Sequence, residues 1–207
     1  MEEQLNQNMQ EQTPHTEKSS VLDDICDLAE SVLVSVFVVL LLFTFVFKVA
    51  TVEGDSMKQT LHDGDRLILS DINYTPEYGD VVIINSWDAY LFDANGNPVA
   101  GEGLNKRVVK RIIATGGQTL DIDFKTGTVT VDGAVLDEPY INNPTTRDEG
   151  AFTYPITIPE GYVFVLGDNR GVSKDSRHPN VGLVAEVDIV GKVLLRVYPF
   201  SDFGTIE

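Results

Sequence analysis

Between residues 31 and 47 the chain reads SVLVSVFVVLLLFTFVF, with no charged side chain anywhere in the run. With part of the apolar stretch 49–52 added, it approaches the ~20 residues that cross a hydrocarbon core as a helix, and a transmembrane anchor is predicted over residues 31–50. A buried core helix would carry a polar stripe, and a cleaved signal peptide would have a basic segment in front and small residues behind. The unbroken apolar character speaks against the first, and the eight acids and single base, Lys18, ahead of the run speak against the second. Residues 1–30 show no sustained apolar period before Val21 and read as an acidic, disordered tail.

Beyond Lys48 the pattern changes to short β-prone runs between turn residues. Strands are expected at 66–70, 81–85, 107–114, 119–122, 128–131, 162–166 and 189–198. Asp132-Gly133, set between TVTV and AVL, signals a two-residue hairpin, because both central positions of such a turn need positive φ. Asn95-Gly96 is a second turn candidate, inside a longer exposed loop expected over residues 87–105. No repeat and no convincing amphipathic helix follows the anchor, so residues 51–207 read as one mainly β domain tethered at its N-terminus.

Composition narrows the function more than the fold. Acids outnumber bases 32 to 15, a net charge of −17, and no basic block appears, which argues against a general nucleic-acid binder. Cys26 is the only cysteine, so an intrachain disulfide is impossible, and with His15, His62 and His178 scattered, neither a metal nor a cofactor is expected. Lys18 before the apolar run and Lys48 after it leave the anchor's orientation open by the positive-inside rule.

Three stretches carry candidate chemistry: VEGDSMKQTL (52–61), NKRVVKRII (105–113) and GDNRGVSKDSR (167–177). Singly, each has a plain reading. Ser56 is a turn serine after Gly54-Asp55, the lysines are solvated strand charges, and the last segment is a polar loop. Together, in this order and spelling, they resemble the bacterial type I signal peptidases, membrane-tethered Ser/Lys endopeptidases that remove signal peptides from exported proteins. The likeness runs from the anchor to Val193. It includes Gly64-Asp65, Gly79-Asp80, VDGAVLDEPYI ending at Ile141, and IPEGYVFVLGDNR.

The resemblance implies a mainly β Ser/Lys protease fold, a nucleophile at Ser56 followed by the Met57 of a Ser-Met signature, and a general base at Lys110. It implies that the Ser173 hydroxyl positions the lysine, that Asp175 and Arg177 pair to brace the loop, and that Asp168, Asn169 and Arg170 are structural. Val52, Glu53, Met57, Leu61, Val108 and Val109 are the positions expected to line two shallow pockets for an extended substrate. Gly54 stands where some relatives carry an oxyanion-stabilising hydroxyl, which leaves backbone N–H groups, that of Ser56 first, for the task. The implied partners are secretory preproteins, membrane lipid and the neighbourhood of the translocation channel. The implied location is the cell membrane, single-pass, with a cytoplasmic N-terminus and an extracytoplasmic catalytic domain.

A serine hydroxyl needs a neighbour to take its proton, and a lysine does so only when neutral, which burial favours. His62 and His178 are rival bases, but each reads as an ordinary surface or loop histidine. Two departures stand out: Gln59 replaces a proline usual after Ser-Met-x, predicting a looser turn, and ATGGQ (114–118) replaces a run like Gly-x-Pro-Gly-Asp. Two rival readings are a self-cleaving Ser/Lys repressor, disfavoured by the anchor and the lack of a DNA-binding module, and a catalytically dead tethered module that binds exported chains.

Overall fold

Apolar side chains do not begin at Ser31. Val21, Leu22, Ile25 and Leu28 already recur at helical spacing, and in the computed structural model, which describes residues 21–206, α1 spans Val21–Val46. Asp23 and Asp24 in its first turn face the positive end of the helix dipole. The helix is long and apolar enough to cross a membrane. It therefore takes residues 21–30 from the expected tail, whose first twenty residues lie outside the described ones. At the other end residues 48–50, expected in the anchor, belong to a strand instead: Lys48 pairs with Asp71 at 2.7 Å and donates to the Val190 carbonyl, fixing it to the sheet.

The chain divides after Leu42 into two compact units. The second is mainly β, with two antiparallel sheets. The larger is built from β1 (Lys48–Thr51), β2 (Arg66–Ser70), β3 (Val81–Phe92), β4 (Pro98–Thr115), β9 (Tyr162–Leu166), β10 (Val184–Ala185) and β11 (Ile189–Tyr198), in the order β1-β2-β11-β3-β4-β9-β10. The smaller holds β5 (Thr119–Asp123), β6 (Thr128–Val131), β7 (Ala134–Val135) and β8 (Ile156–Thr157), in the order β7-β6-β5-β8. Asp132 and Gly133 both have positive φ, 52° and 81°, at the β6–β7 hairpin, as that dipeptide requires. Among the described residues no α-helix follows α1.

The exposed loop expected over 87–105 is a β-ribbon instead. β3 and β4 pair continuously through it, from Val81 opposite Arg111 out to Phe92 opposite Pro98, with a bulge between Ser86 and Asp88. The glycines that suggested a loop serve the ribbon: a side chain at Gly103 would collide with the backbone of Ser86 and Trp87, so only glycine allows the strands to close across the bulge. Asp93 closes the tip by accepting from the Asn95 and Asn97 N–H groups.

Two unpaired edges set up the site. β1 is the outer strand of its sheet, and β4, paired with β3 on one side, meets β9 on the other only from Arg111 onward. The edge of β4 before Arg111 is therefore open. Beneath these edges lies a core of Val52, Met57, Leu61, Leu67, Leu69, Val81, Ile83, Val109 and Val193.

Candidate active site

After β1 the chain reverses through Gly54, whose φ of +82° favours glycine and whose N–H donates to Asp63 at 2.7 Å. Ser56 follows on this turn. Met57 plunges into the core and Leu61 after it, both fully buried, with the Leu61 N–H bonded to the Met57 carbonyl at 2.8 Å. Burial of two large side chains on either side of one helical turn fixes the serine next door, at a gain of roughly 1.5–3 kcal/mol for each. Met57 and Leu61 are thus the floor's foundation and not the pocket lining expected of them.

Lys110 arrives from β4, opposite Val82, and is 2% exposed. Its Nζ lies 2.8 Å from Ser56 Oγ and donates to the Val109 carbonyl at 2.7 Å. Burial pushes its pKa down to about 8, helped by the like charge of Lys106 and opposed by the carboxylates of Asp175 and Asp168. Lys106, four residues earlier on the same side of the strand, is exposed. The parity of the strand admits both lysines, and depth separates them.

The loop after β9 grips the serine from the other side. Asn169 donates its N–H to the Ser56 carbonyl and its Nδ2 to the Asp55 carbonyl, both at 3.0 Å. A Cβ at Gly167 would collide with Ser173 Oγ and lie 2.5 Å from the Ser56 carbonyl oxygen, so the loop comes this close only because residue 167 has no side chain. Neither contact follows from the sequence pattern, although both residues sit in the GDNR motif.

Three buried ion pairs brace this arrangement. Asp168 takes Arg111 Nε and Nη2, both at 2.9 Å, and Arg111 stacks over Tyr140 with 4.0 Å to the ring centroid. Arg170 holds Glu138, and Arg177 holds Asp175 through Nε at 2.8 Å and Nη2 at 2.9 Å. Burial alone would raise the Asp175 pKa, but the Arg177 guanidinium outweighs it and the net shift is downward. Arg177 Nη2 also donates to the Arg170 carbonyl, and the Gly167 N–H donates to Asp175, so the pair ties the two ends of its loop together. Removing one member of such a pair leaves a buried charge uncompensated, a cost of roughly 3–5 kcal/mol.

Ser173 departs from its expected role. Its hydroxyl is buried but makes no hydrogen bond to Lys110 and has no well-aligned partner; it lies on the Asp175 side, where it helps to lower that carboxyl's pKa. Gln59 departs from expectation in another way. Its φ is 100°, which proline's ring forbids, and its Nε2 donates to Asn142 Oδ1 at 3.0 Å, with Asn142 donating in turn to Asn169 Oδ1 at 3.4 Å. The turn is tied by side-chain bonds where proline would have stiffened it.

A groove of about 1460 Å³ passes over Ser56 and Lys110. Of the positions expected to line substrate pockets, Val52, Glu53, Val108 and Val109 line it; Gly54, Trp87, Leu104, Asn142 and Val172 also line it, without having been expected there. His62, His178 and residues 114–118 do not. The 114–118 segment ends β4 and turns into β5, with Gln118 accepting from the Thr115 N–H and donating to Asp132, and with Gly117 and Gln118 bonded to the Ile158 backbone. Among the described residues no carbonyl accepts from the Ser56 N–H, which leaves that donor for a bound oxygen.

A sequence profile of the family described as signal peptidase, peptidase S26, matches residues 25–198. Signal peptidase I of Bacillus amyloliquefaciens is 34% identical over 204 residues, covering 93% of this chain and 96% of its own. Signal peptidase IB of Staphylococcus aureus is 35% identical over 190 residues, covering 84% and 89%. Among solved structures, the crystal structure of a signal peptidase I from Enterococcus faecalis V583 aligns with 57% of this chain and 97% of its own, at 28% identity and a TM-score of 0.42.

Proposed function

The chain belongs to the signal peptidase family, peptidase S26, a family of hydrolases that cleave signal peptides, and from that premise we propose that Ser56 and Lys110 carry the reaction. The observation that supports this most directly is the 2.8 Å approach of a buried lysine, its proton affinity lowered toward neutrality, to a serine hydroxyl on a rigid turn.

The chemistry follows from the geometry. An extended preprotein segment lies between the open edges of β1 and β4, with small side chains in the shallow pockets beside Val52, Val108 and Val109. Neutral Lys110 accepts the Ser56 proton as Oγ attacks the carbonyl carbon of the small residue. The Ser56 N–H receives the developing oxyanion. The Lys110 ammonium then protonates the departing amine, leaving an ester on Oγ. Water, deprotonated by the same lysine, attacks the ester and restores the serine. Asp175 and Arg177 hold the loop behind the dyad, and Ser173 acts through Asp175. Residues 1–20 together with the start of α1 form a cytoplasmic tail, the rest of α1 anchors the enzyme in lipid, and the β-rich unit works outside the cytoplasm near the translocation channel. There a preprotein's cleavage site emerges from the bilayer.

An acyl-enzyme needs the hydroxyl itself. Ser56→Ala should lower processing of a purified preprotein by roughly 10³-fold or more, the residue of activity coming from the oxyanion donor and binding alone. Near-normal cleavage by that variant would exclude the serine mechanism.

A further inference from the structure

Seven ion pairs occupy seven of the described lysines and arginines. Of the other seven, Lys58, Lys106, Arg107, Lys110 and Lys174 all line the groove, and only Arg66 and Lys125 lie elsewhere. The acids lining the same groove are two, Glu53 and Asp55. Even with Lys110 neutral, the lining carries an excess of positive charge in a chain whose net charge is −17.

These cations come from separate elements. Lys106 and Arg107 stand on the open edge of β4, Lys58 on the turn two residues past Ser56, and Lys174 on the loop that grips that turn. Lys106 is about 13 Å along the strand from Lys110, the reach of four residues of an extended peptide. Arg107 donates to Asn85 Oδ1 at 3.1 Å, but none of the five is in an ion pair, and like charges gathered without counter-charges repel one another. They act on what enters the groove.

We propose that the groove is a charge filter on its own substrates: it favours cleavage segments with carboxylates flanking the scissile bond and rejects segments with lysine or arginine there. This rests on the groove being the peptide-binding cleft proposed above. A concave cleft beside the reacting hydroxyl focuses field lines onto a bound chain, whereas a flat anionic bilayer surface would meet such cations best on a convex or planar face.

The test uses the full chain in nonionic detergent and three peptides sharing one small-residue site, flanked by aspartates, by serines or by lysines. At about 20 mM salt the aspartate peptide should exceed the lysine peptide in kcat/KM by about tenfold, and at about 0.5 M salt the ratio should fall toward one. In Lys58→Glu/Lys174→Glu the ratio should fall severalfold or invert, each peptide being referred to the serine peptide on the same protein. Equal rates for the three peptides at low salt overturn the filter, as does a preference that salt leaves unchanged. Both are read on the wild-type enzyme even where the double variant fails to fold. A charge-blind enzyme whose binding to anionic vesicles, but not to neutral ones, is lost in the variant assigns the cations to lipid and also overturns it. Loss of cleavage of the serine peptide by the wild type, or its survival in Ser56→Ala, instead points to failure of the underlying dyad.

Discussion

Two lysines on one face of β4 differ in depth, and depth decides their chemistry. With Lys110 buried and its pKa pushed down to about 8, kcat/KM should rise with pH through that region, because in the proposed mechanism the neutral amine is the active form. Lys110→Ala and Lys110→Arg should both lose roughly 10³-fold or more, the second because guanidinium stays charged. Lys106→Ala should be tolerated and should move the acid limb of the profile upward, since a neighbouring positive charge that disfavoured the ammonium has gone. Unaltered limbs in Lys106→Ala would remove that coupling. Gln59 offers a second measurement. Gln59→Gly keeps a backbone that tolerates a φ of 100° but loses the bond to Asn142, so kcat/KM should drop by about fivefold with the melting temperature held, the worth of one hydrogen bond. Gln59→Pro should destabilise by roughly 1–3 kcal/mol and not repair the turn, because the ring cannot adopt that φ. Their motifs singled out Ser56 and Lys110, which the fold brings within 2.8 Å of each other; Met57 and Leu61 were misplaced because on a turn no period tells the core side from the groove side.

At the scale of elements, the loop between β9 and β10 holds the site, and Gly167 is its point of closest approach. Gly167→Ala should cost roughly 1–3 kcal/mol and depress kcat more than KM, since the added methyl must push apart Ser56 and Ser173. Calorimetry beside single-turnover kinetics checks this, and a variant with wild-type values in both would show that the loop has slack. Most strands were readable, 66–70, 128–131, 162–166 and 189–198 to the residue, because their apolar runs end at turn residues. The outer half of the β3–β4 ribbon was not. Gly101, Gly103, Asn95 and Asn97 look like loop residues, and the strand's need for glycine at a bulge is visible only when the facing backbone is known. The two-residue strands β7, β8 and β10 are too short to carry a period, and only the Asp132-Gly133 turn pointed to one of them.

For the whole molecule, the proposed topology puts the N-terminus in the cytoplasm and the β-rich unit outside it. Protease added to intact spheroplasts should digest the β-rich unit and spare an N-terminal tag; protection of the β-rich unit would reverse the orientation. The apolar helix was legible from hydropathy alone, but its first turns were not, since Asp23, Asp24, Asp27 and Glu30 mask the recurrence of Val21, Leu22, Ile25 and Leu28. The charge of the groove escaped the sequence for a different reason: lysines scattered from 58 to 174 converge only on folding. The grip of Asn169 on the carbonyls of Asp55 and Ser56 has a consequence for how the protein comes into being. The serine and the lysine are translated early, but the clasp that steadies the serine's turn, and the ion pair that ties that clasp, are not complete until residue 177 has been made. A growing chain therefore holds Ser56 and Lys110, the proposed nucleophile and base, well before it holds the contacts that fix the turn carrying Ser56.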